Sequence, residues 1–415
     1  MAYRGLQTGT RDSPGFFCGI DNDYKLVKEG AQMQQYQLIA TAASGVEALV
    51  GKELRRLGYQ TRVENGRVRY QGTMKDVIKT NLWLRTADRV KIVVGEFKAT
   101  TFDELFEQTR ALPWDQYLPV DAQFPVEGKS HRSQLHHVPS VQAIVKKAVA
   151  KSLADSYHRR TRLPESGMLY PLEVAIVKDH VMLTLDTTGD SLFKRGYRQE
   201  KGGAPLKETM AAALVLLAHW FSDNPFVDPV CGSGTIPIEA GLIGHNIAPG
   251  SNRDFLCERW VNLVGPTVSD EVRDEADSLA DYDVQLEIHG YDIDQQMVDI
   301  AKRNCQSAGL THDITFKQLA VKDWRTDELN GVIVANPPYG ERLGDREEAR
   351  QLYRQMGELY RPLTSWSKYI LTADLEFEKY YGQQATKRRK LYNGALRTDL
   401  FQYWGKKVRA HHSTN

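Results

Sequence analysis

Val332-Ile333-Val334-Ala335-Asn336-Pro337-Pro338-Tyr339-Gly340-Glu341-Arg342-Leu343-Gly344 is the stretch whose reading decides the fold. Its four leading apolar residues read as a buried strand of a parallel sheet. Two prolines then end the strand and fix the loop. An Asn amide, a Pro carbonyl and an aromatic ring are thereby presented at the C-terminal edge of a strand, where open α/β sheets bind ligands. The amide oxygen and the carbonyl can accept hydrogen bonds from an amino group, and the ring can stack on a planar base. Such a loop suits a reaction at an exocyclic nitrogen of a flat, conjugated group. A loop whose prolines merely terminate a strand is the plain alternative, and a second motif upstream weighs against it.

That second motif is Phe226-Val227-Asp228-Pro229-Val230-Cys231-Gly232-Ser233-Gly234-Thr235, between an expected strand over Asn224–Val230 and a helix. Its glycines let the backbone pass close to a ligand and start the helix. Asp228 stands at the strand end, where a carboxylate could meet an ammonium. The spacing is not the three-glycine dinucleotide fingerprint, and no Lys follows as in a P-loop, so phosphate binding is disfavoured. Asp292, in Gly290-Tyr291-Asp292-Ile293-Asp294, ends a strand expected over Val284–Tyr291 and is well placed for a ribose diol. It lies much further from the glycines than the ~20 residues usual for this geometry. A segment of about residues 244–283 is therefore inserted between the first helix and this strand. Asp323, after a third strand, is a candidate for an adenine amino group, with a helix N-cap as its plain alternative.

Outward from these loops, residues 191–409 alternate strand and helix. Helices are expected over Gln295–Leu310, N-capped by Asp294, with Met297, Ile300, Ala301, Cys305 and Ala308 on one side, and over Glu348–Leu363. Strands are expected over Ile314–Leu319 and Lys368–Leu371. This is the rhythm of an α/β, doubly wound parallel sheet. Asn393-Gly394 between Arg389–Tyr392 and Leu400–Trp404 adds an antiparallel hairpin at its edge. Residues 36 to about 190 read as α+β: a strand at Tyr36–Ala40, a helix from Val46 to Leu57, a hairpin about Asn65-Gly66, a helix over Val141–Ser156 and a closing strand pair at Leu172–Val177 and Val181–Leu185. Residues 1–32 read as a flexible leader or a mis-assigned start, because Met33 closely precedes the first strand, and 410–415 as a disordered tail. Trp83, Trp114 and Trp220 read as core, and His136-His137 as loop surface.

The chain's 415 residues suffice for two or three domains, and 41% hydrophobic with 26% charged residues fits a soluble globular protein. No apolar run is long enough to span a bilayer or to form a signal-peptide core. Cys18, Cys231, Cys257 and Cys305 show no metal-type or redox-type spacing, so a reduced cytoplasmic setting without a metal site is expected. Net charge is +1, but its distribution is uneven. Glu127–Glu165 carries eight Lys/Arg against three acids, Lys387–Arg409 eight against one, and Asp270–Asp299 eleven acids against one Arg. Two basic regions could guide a polyanion; solvated helix surface is the plain alternative.

Together these residues resemble the class I S-adenosylmethionine-dependent methyltransferases with an Asn-Pro-Pro-Tyr amino-methylation motif. Val126–Ser130, Ser133–Leu135, Gln142 and Lys146–Ala148 resemble a THUMP RNA-binding domain preceded by a ferredoxin-like segment. Leu192–Arg198, Ala204–Thr209 and Lys387–Gly394 resemble the linker, first helix and C-terminal signature of the same family. The chain is most similar to the bacterial 23S rRNA guanine-N2-methyltransferases in a short form; long members carry a second methyltransferase domain, whose activity is not implied. The resemblance implies a ferredoxin-like segment at 33–95, a THUMP domain at 96–190 and a Rossmann-like methyltransferase domain at 191–409. It implies S-adenosylmethionine as cofactor, with Asp228, Cys231, Gly232, Gly234 and Thr235 along its methionine end, Asp292 on its ribose and Asp323 on its adenine. Asn336, Pro337 and Tyr339 would hold the target base. With the basic stretches, it makes Lys129, Arg132, Lys146, Lys147, Arg388 and Arg389 candidate contacts to ribosomal RNA. The tetrapeptide alone leaves adenine N6 in RNA or DNA, or a glutamine amide, open as targets. A non-catalytic RNA-binding assembly factor is a further alternative, and a dehydrogenase is disfavoured by the missing third glycine.

Overall fold

The computed structural model of the chain describes residues 34–198, 206–340 and 345–408. The expected leader at 1–32, the tail at 410–415, Ala204-Pro205 and Glu341–Gly344 lie outside the described residues.

In chain order the elements are β1 (Tyr36–Ala42), α1 (Glu47–Arg56), β2 (Arg62–Glu64), β3 (Arg67–Gly72), α2 (Met74–Trp83), β4 (Ala87–Lys98), α3 (Phe102–Arg110), β5 (Val126–His131), α4 (Val138–Ser156), β6 (Leu172–Val177) and β7 (His180–Asp186). They continue with α5 (Glu208–Ala218), β8 (Phe226–Asp228), α6 (Thr235–Gly244), α7 (Val268–Ser278), β9 (Ile288–Asp292), α8 (Gln295–Ser307), β10 (Ile314–Gln318) and β11 (Val332–Ala335). The last are α9 (Asp345–Tyr360), β12 (Ser367–Thr372), α10 (Phe377–Tyr381), β13 (Lys387–Asn393) and β14 (Leu396–Tyr403).

The front half forms one seven-stranded sheet, ordered β2-β3-β1-β4-β7-β6-β5, and only β5 pairs in parallel with its neighbour. Its first hairpin turns on Asn65-Gly66, with Gly66 at φ 74°, and Glu64 opposite Arg67. Thr73 with Asp76 and Thr101 with Glu104 form reciprocal capping boxes that start α2 and α3. Helix α4 begins at Val138, three residues before the expected Val141, because Pro139 sits in the first turn, where no N–H is needed, and the His137 side chain accepts from the Ser140 N–H.

The second half is a seven-stranded sheet ordered β10-β9-β8-β11-β12-β14-β13. Its first five strands are parallel, and β14 and β13 are antiparallel. Alternate residues of β11 feed opposite layers: Val332 and Val334 pack with Leu214 and Ile236, Ile333 and Ala335 with Tyr353 and Met356. Burial on both faces is why this strand reads as a continuous apolar run. Two expected strands are shorter in the fold: β8 begins at Phe226 rather than Asn224, and β9 at Ile288 rather than Val284. On α8 the buried face is Val298, Ala301, Asn304 and Cys305, with Met297 and Ile300 only partly covered. Asp294 caps this helix, accepting from the Gln296 N–H.

Beyond Ile247, the inserted segment after α6 packs mainly on the front half rather than on its own sheet. Ala248, Phe255, Cys257, Trp260, Leu263 and Val268 enter the core of the front half. Trp260 stacks on Tyr170 with ring centroids 4.9 Å apart and donates its indole N–H to the Leu169 carbonyl at 2.9 Å. Large aromatic burial of this kind dominates such contacts. Arg195, 2% exposed on its side chain, joins the halves again: it pairs with Glu239 and donates to the Arg85 and Leu192 carbonyls. A third tie runs from Arg389 on β13 to the Gly45 carbonyl between β1 and α1, at 2.8 Å.

Candidate active site

The parallel strands β8, β9, β10 and β11 release their following loops on one edge of the sheet. A cavity of about 870 Å³ lies there, lined by Gly232, Asp292, Val321, Asn336, Pro337 and Tyr339 among others.

The glycine loop is shaped by its two positive-φ residues. Gly232 sits at φ 52° and donates its N–H to Asp292 Oδ2 at 2.8 Å; a Cβ there would meet nothing within 4 Å. Gly234 sits at φ 82° and N-caps α6, but a Cβ there would lie 2.9 Å from Ala301 Cβ and 3.0 Å from Phe316 Cζ. One glycine keeps the cavity open, and the other permits packing of helix on sheet. Asp292 Oδ1 accepts from the Asp294 N–H at 3.0 Å, so both carboxylate oxygens are oriented by backbone amides.

Asp228 lies beneath the loop, 1% exposed, with Oδ1 accepting from the Val230 N–H at 3.1 Å. Burial, reinforced by the charge of Asp292, pushes its carboxyl well above the usual carboxylate range. Burial, then Asp228 and Asp292, likewise push the Cys231 thiol well up, which keeps it protonated and unfit as a nucleophile. Thr235 is buried and accepts from Arg198 at 2.8 Å; Arg198 also donates to Ser233 Oγ and pairs with Glu208. Of the residues expected around the cofactor, Gly232 and Asp292 line the cavity, while Asp228, Cys231, Gly234 and Thr235 form the layer behind it. Asp323 is the last residue of a short 3-10 turn, is exposed and caps no helix; Val321 and Lys322 of that turn line the cavity instead.

On the opposite wall the Tyr339 hydroxyl donates to Asn336 Oδ1. The Pro338 carbonyl accepts from the buried Tyr353 hydroxyl of α9 at 2.9 Å, which holds the proline loop against the layer of Tyr353 and Met356 beneath Ile333 and Ala335. The Pro337 carbonyl is left without a partner among the described residues. Gly340, at φ 67°, lets α9 approach, since a Cβ there would stand 2.4 Å from Arg346 Cα. Lys207, Gln355, Asn393, Gly394 and Leu396 also line the cavity. None of these five was singled out as a site residue by the sequence, although Lys207, Asn393 and Gly394 fall in stretches read as family signatures.

The six candidate RNA contacts differ in availability. Lys129 is 62% exposed on its side chain and pairs with Glu173 at 2.9 Å; Arg132 and Lys147 are exposed. Lys146 is bound into the fold by Glu165, the Phe124 carbonyl and the Phe124 ring. Arg388 pairs with the buried Asp399 at 2.6 Å, and Arg389 is the tie to Gly45. Among the described residues no group of three or more His, Cys, Asp or Glu could hold a metal, and no helix is long and apolar enough to cross a membrane.

A parallel sheet closed by an antiparallel hairpin, with a glycine loop and a proline loop facing one cavity, defines a Rossmann-like methyltransferase domain behind an α+β front half. Comparison with known proteins agrees with this class. An RMKL-like methyltransferase domain matches residues 195–402, an RlmL ferredoxin-like domain 37–91 and a THUMP domain 99–186. The Bacillus subtilis protein "Putative RNA methyltransferase YpsC" is 52% identical over 90% of this chain and 97% of its own length. The Syntrophotalea carbinolica "Ribosomal RNA large subunit methyltransferase K/L" is 34% identical over 88% of this chain but only 53% of its own length, so the chain spans about half of that relative. A crystal structure of "SMU.472, a putative methyltransferase complexed with SAH" superposes with TM-score 0.87 at 52% identity, covering 91% of this chain and 100% of that one. One of "a predicted N6-adenine-specific DNA methylase" from Listeria monocytogenes gives TM-score 0.88 at 58% identity, covering 91% and 98%. The chain belongs to the RMKL-like methyltransferase family, whose members are S-adenosylmethionine-dependent.

Proposed function

We propose that this chain transfers a methyl group from S-adenosylmethionine to the exocyclic N2 amino group of a guanine in 23S ribosomal RNA, in the cytoplasm. The observation that carries the reading is the pairing of two acceptors, Asn336 Oδ1 and the Pro337 carbonyl, with the Gly232–Asp292 wall in one cavity. The residues fit the cofactor: the side-chain-free Gly232 leaves room, and the Asp292 carboxylate, oriented by the Gly232 and Asp294 N–H groups, suits a diol. About 870 Å³ is within the usual range for small-molecule sites. When bound, the cofactor supplies one electrophilic methyl group.

The chain's own residues select and orient the acceptor nitrogen. Asn336 Oδ1 and the Pro337 carbonyl accept the two amino hydrogens, which turns the nitrogen lone pair toward the cofactor wall and favours positive charge developing on that nitrogen. The Tyr339 ring stacks on the base; its hydroxyl, which now donates to Asn336 Oδ1, gives that acceptor up to the substrate. The amino group must come from an unpaired or flipped nucleotide, because pairing would occupy it. The THUMP match and the ribosomal RNA relatives support an RNA substrate. A second reading, adenine N6, is favoured by the description of the Listeria relative and uses the same two acceptors.

The test is Asn336→Ala. Binding of S-adenosylhomocysteine by calorimetry stays within about threefold of the parent, while methyl transfer to RNA falls at least a hundredfold, on the order of an oxyanion-type contact. Equal losses in both would show that Asn336 holds the cofactor wall rather than the acceptor.

A further inference from the structure

The C-terminal hairpin reaches the active-site cavity from the side opposite the glycine loop. Asn393 pairs with Leu396, so the two-residue loop is Gly394-Ala395, with Gly394 at φ 65°. Glycine at the first central position is the type II′ pattern. Asn393 is thereby the last residue of β13 rather than a turn residue, and its side chain is not consumed by the turn. Its amide makes no hydrogen bond among the described residues, and it is only partly exposed. It lines the active-site cavity together with Asn336 and Gly232. It also lines a smaller space of about 260 Å³ against Ala43, Ser44 and Val46 of the β1–α1 connection.

The hairpin is anchored on that connection. Arg389 donates to the Gly45 carbonyl at 2.8 Å, and a Cβ on Gly45, itself at φ 93°, would stand 2.8 Å from the Lys390 carbonyl. The front half thus fixes where the turn stands over the cavity. Gln355 of α9 is the other side-chain amide on the cavity without a partner among the described residues, but it stands on a longer, more mobile side chain.

We propose that Asn393 reads the Watson–Crick edge of the target guanine, with Arg389 as the residue that positions it. This rests on the guanine-N2 reading above. Once the N2 amino group is engaged by Asn336 and Pro337, a guanine presents N1–H and O6 side by side, a donor next to an acceptor. A carboxamide matches that pair: Oδ1 accepts N1–H and Nδ2 donates to O6. Adenine with its N6 amino engaged presents only the N1 acceptor at that place, so the same amide discriminates between the bases.

The test is a comparison across substrate groups. Nucleoside mass analysis of RNA methylated by the parent protein first gives the product and its position. An RNA fragment carrying that position is then made with guanosine or with 2-aminopurine ribonucleoside, which keeps the 2-amino group but lacks O6 and N1–H. For the parent, 2-aminopurine lowers kcat/KM roughly 10- to 100-fold, the range of a bidentate amide contact to a base. Asn393→Ala lowers kcat/KM on guanosine by a similar factor and loses nothing further on 2-aminopurine. Arg389→Ala shows a smaller drop on guanosine and a reduced preference for it, which a purely structural tie would leave intact. S-adenosylhomocysteine affinity, measured on each variant, stays at the parent value. If N2-methylguanosine forms and Asn393→Ala retains the full preference, or if only Gln355→Ala loses it, the inference is wrong and the proposed function stands. A product other than N2-methylguanosine overturns both.

Discussion

Gly232 and Gly234 are two residues apart, both at positive φ, and their alanine variants should fail in different ways. Placing an L-residue in the left-handed region costs roughly 1–2 kcal/mol at either position. At Gly232 nothing lies within 4 Å of the added Cβ, so that strain is the whole cost to folding. At Gly234 the Cβ would press on Ala301 at 2.9 Å and on the Phe316 ring at 3.0 Å, both buried. Overpacking of this kind adds about 1–3 kcal/mol. Gly234→Ala should therefore lose roughly 2–5 kcal/mol of stability, and Gly232→Ala about 1–2, read as a midpoint shift of a few degrees. Cofactor binding should order them the other way. The Gly232 methyl would project into the cavity beside Asp292, and S-adenosylhomocysteine affinity should fall about tenfold or more; a Gly234→Ala protein that folds should bind within a few-fold of the parent. Thermal unfolding without ligand and titration calorimetry on both variants settle the comparison. Parent-like affinity in Gly232→Ala, or a Gly234→Ala protein no less stable than Gly232→Ala, would refute the assignment of one glycine to the ligand and the other to packing.

Two further outcomes follow from the same geometry. Burial holds the Asp228 carboxyl protonated in the fold at pH values where the unfolded chain has released its proton, so its contribution to stability is full below about pH 4 and declines as pH rises toward the raised folded value. Ligand-free Asp228→Asn should match the parent in midpoint near pH 4 and gain on it steadily toward pH 8; a midpoint gap that does not change with pH would count against a protonated Asp228. Lys129→Glu sets a carboxylate against Glu173, which Lys91 and Lys129 now share, and with Arg132→Glu it should weaken RNA binding and reduce the salt slope by about one unit for each phosphate no longer neutralised. Unchanged affinity at low salt would remove this surface from the RNA interface.

What the sequence revealed and what it hid divide along the range of the interactions. The apolar run Val332–Ala335, the Asn65-Gly66 hairpin and the Asp294 cap are decided within a few residues, and each lies in the fold where local chemistry places it. The proline loop and Gly232–Asp292 were legible as one cavity because parallel strands send their following loops to the same edge. Packing between distant segments left no local trace. Residues 268–276 do show a helical apolar stripe of Val268, Val272 and Ala276, but nothing local says which core it faces; with Phe255 and Trp260 it completes the core of the front half. The ferredoxin-like and THUMP matches share one sheet through β4 and β7, which pair across more than eighty residues of sequence. Charge runs were the least informative signal. Lys146 and Arg389 stand in basic stretches, but the fold uses both for internal bonds that only three-dimensional proximity creates.

The most direct test of the account is methyl transfer from labelled S-adenosylmethionine to 23S ribosomal RNA isolated from cells that lack this protein, with the product nucleoside identified by mass. The account predicts N2-methylguanosine at a single position, abolished by Asn336→Ala. N6-methyladenosine would keep the cavity and its acceptors but contradict the proposed base, and an absence of labelled product from a protein that binds S-adenosylhomocysteine would contradict ribosomal RNA as the substrate.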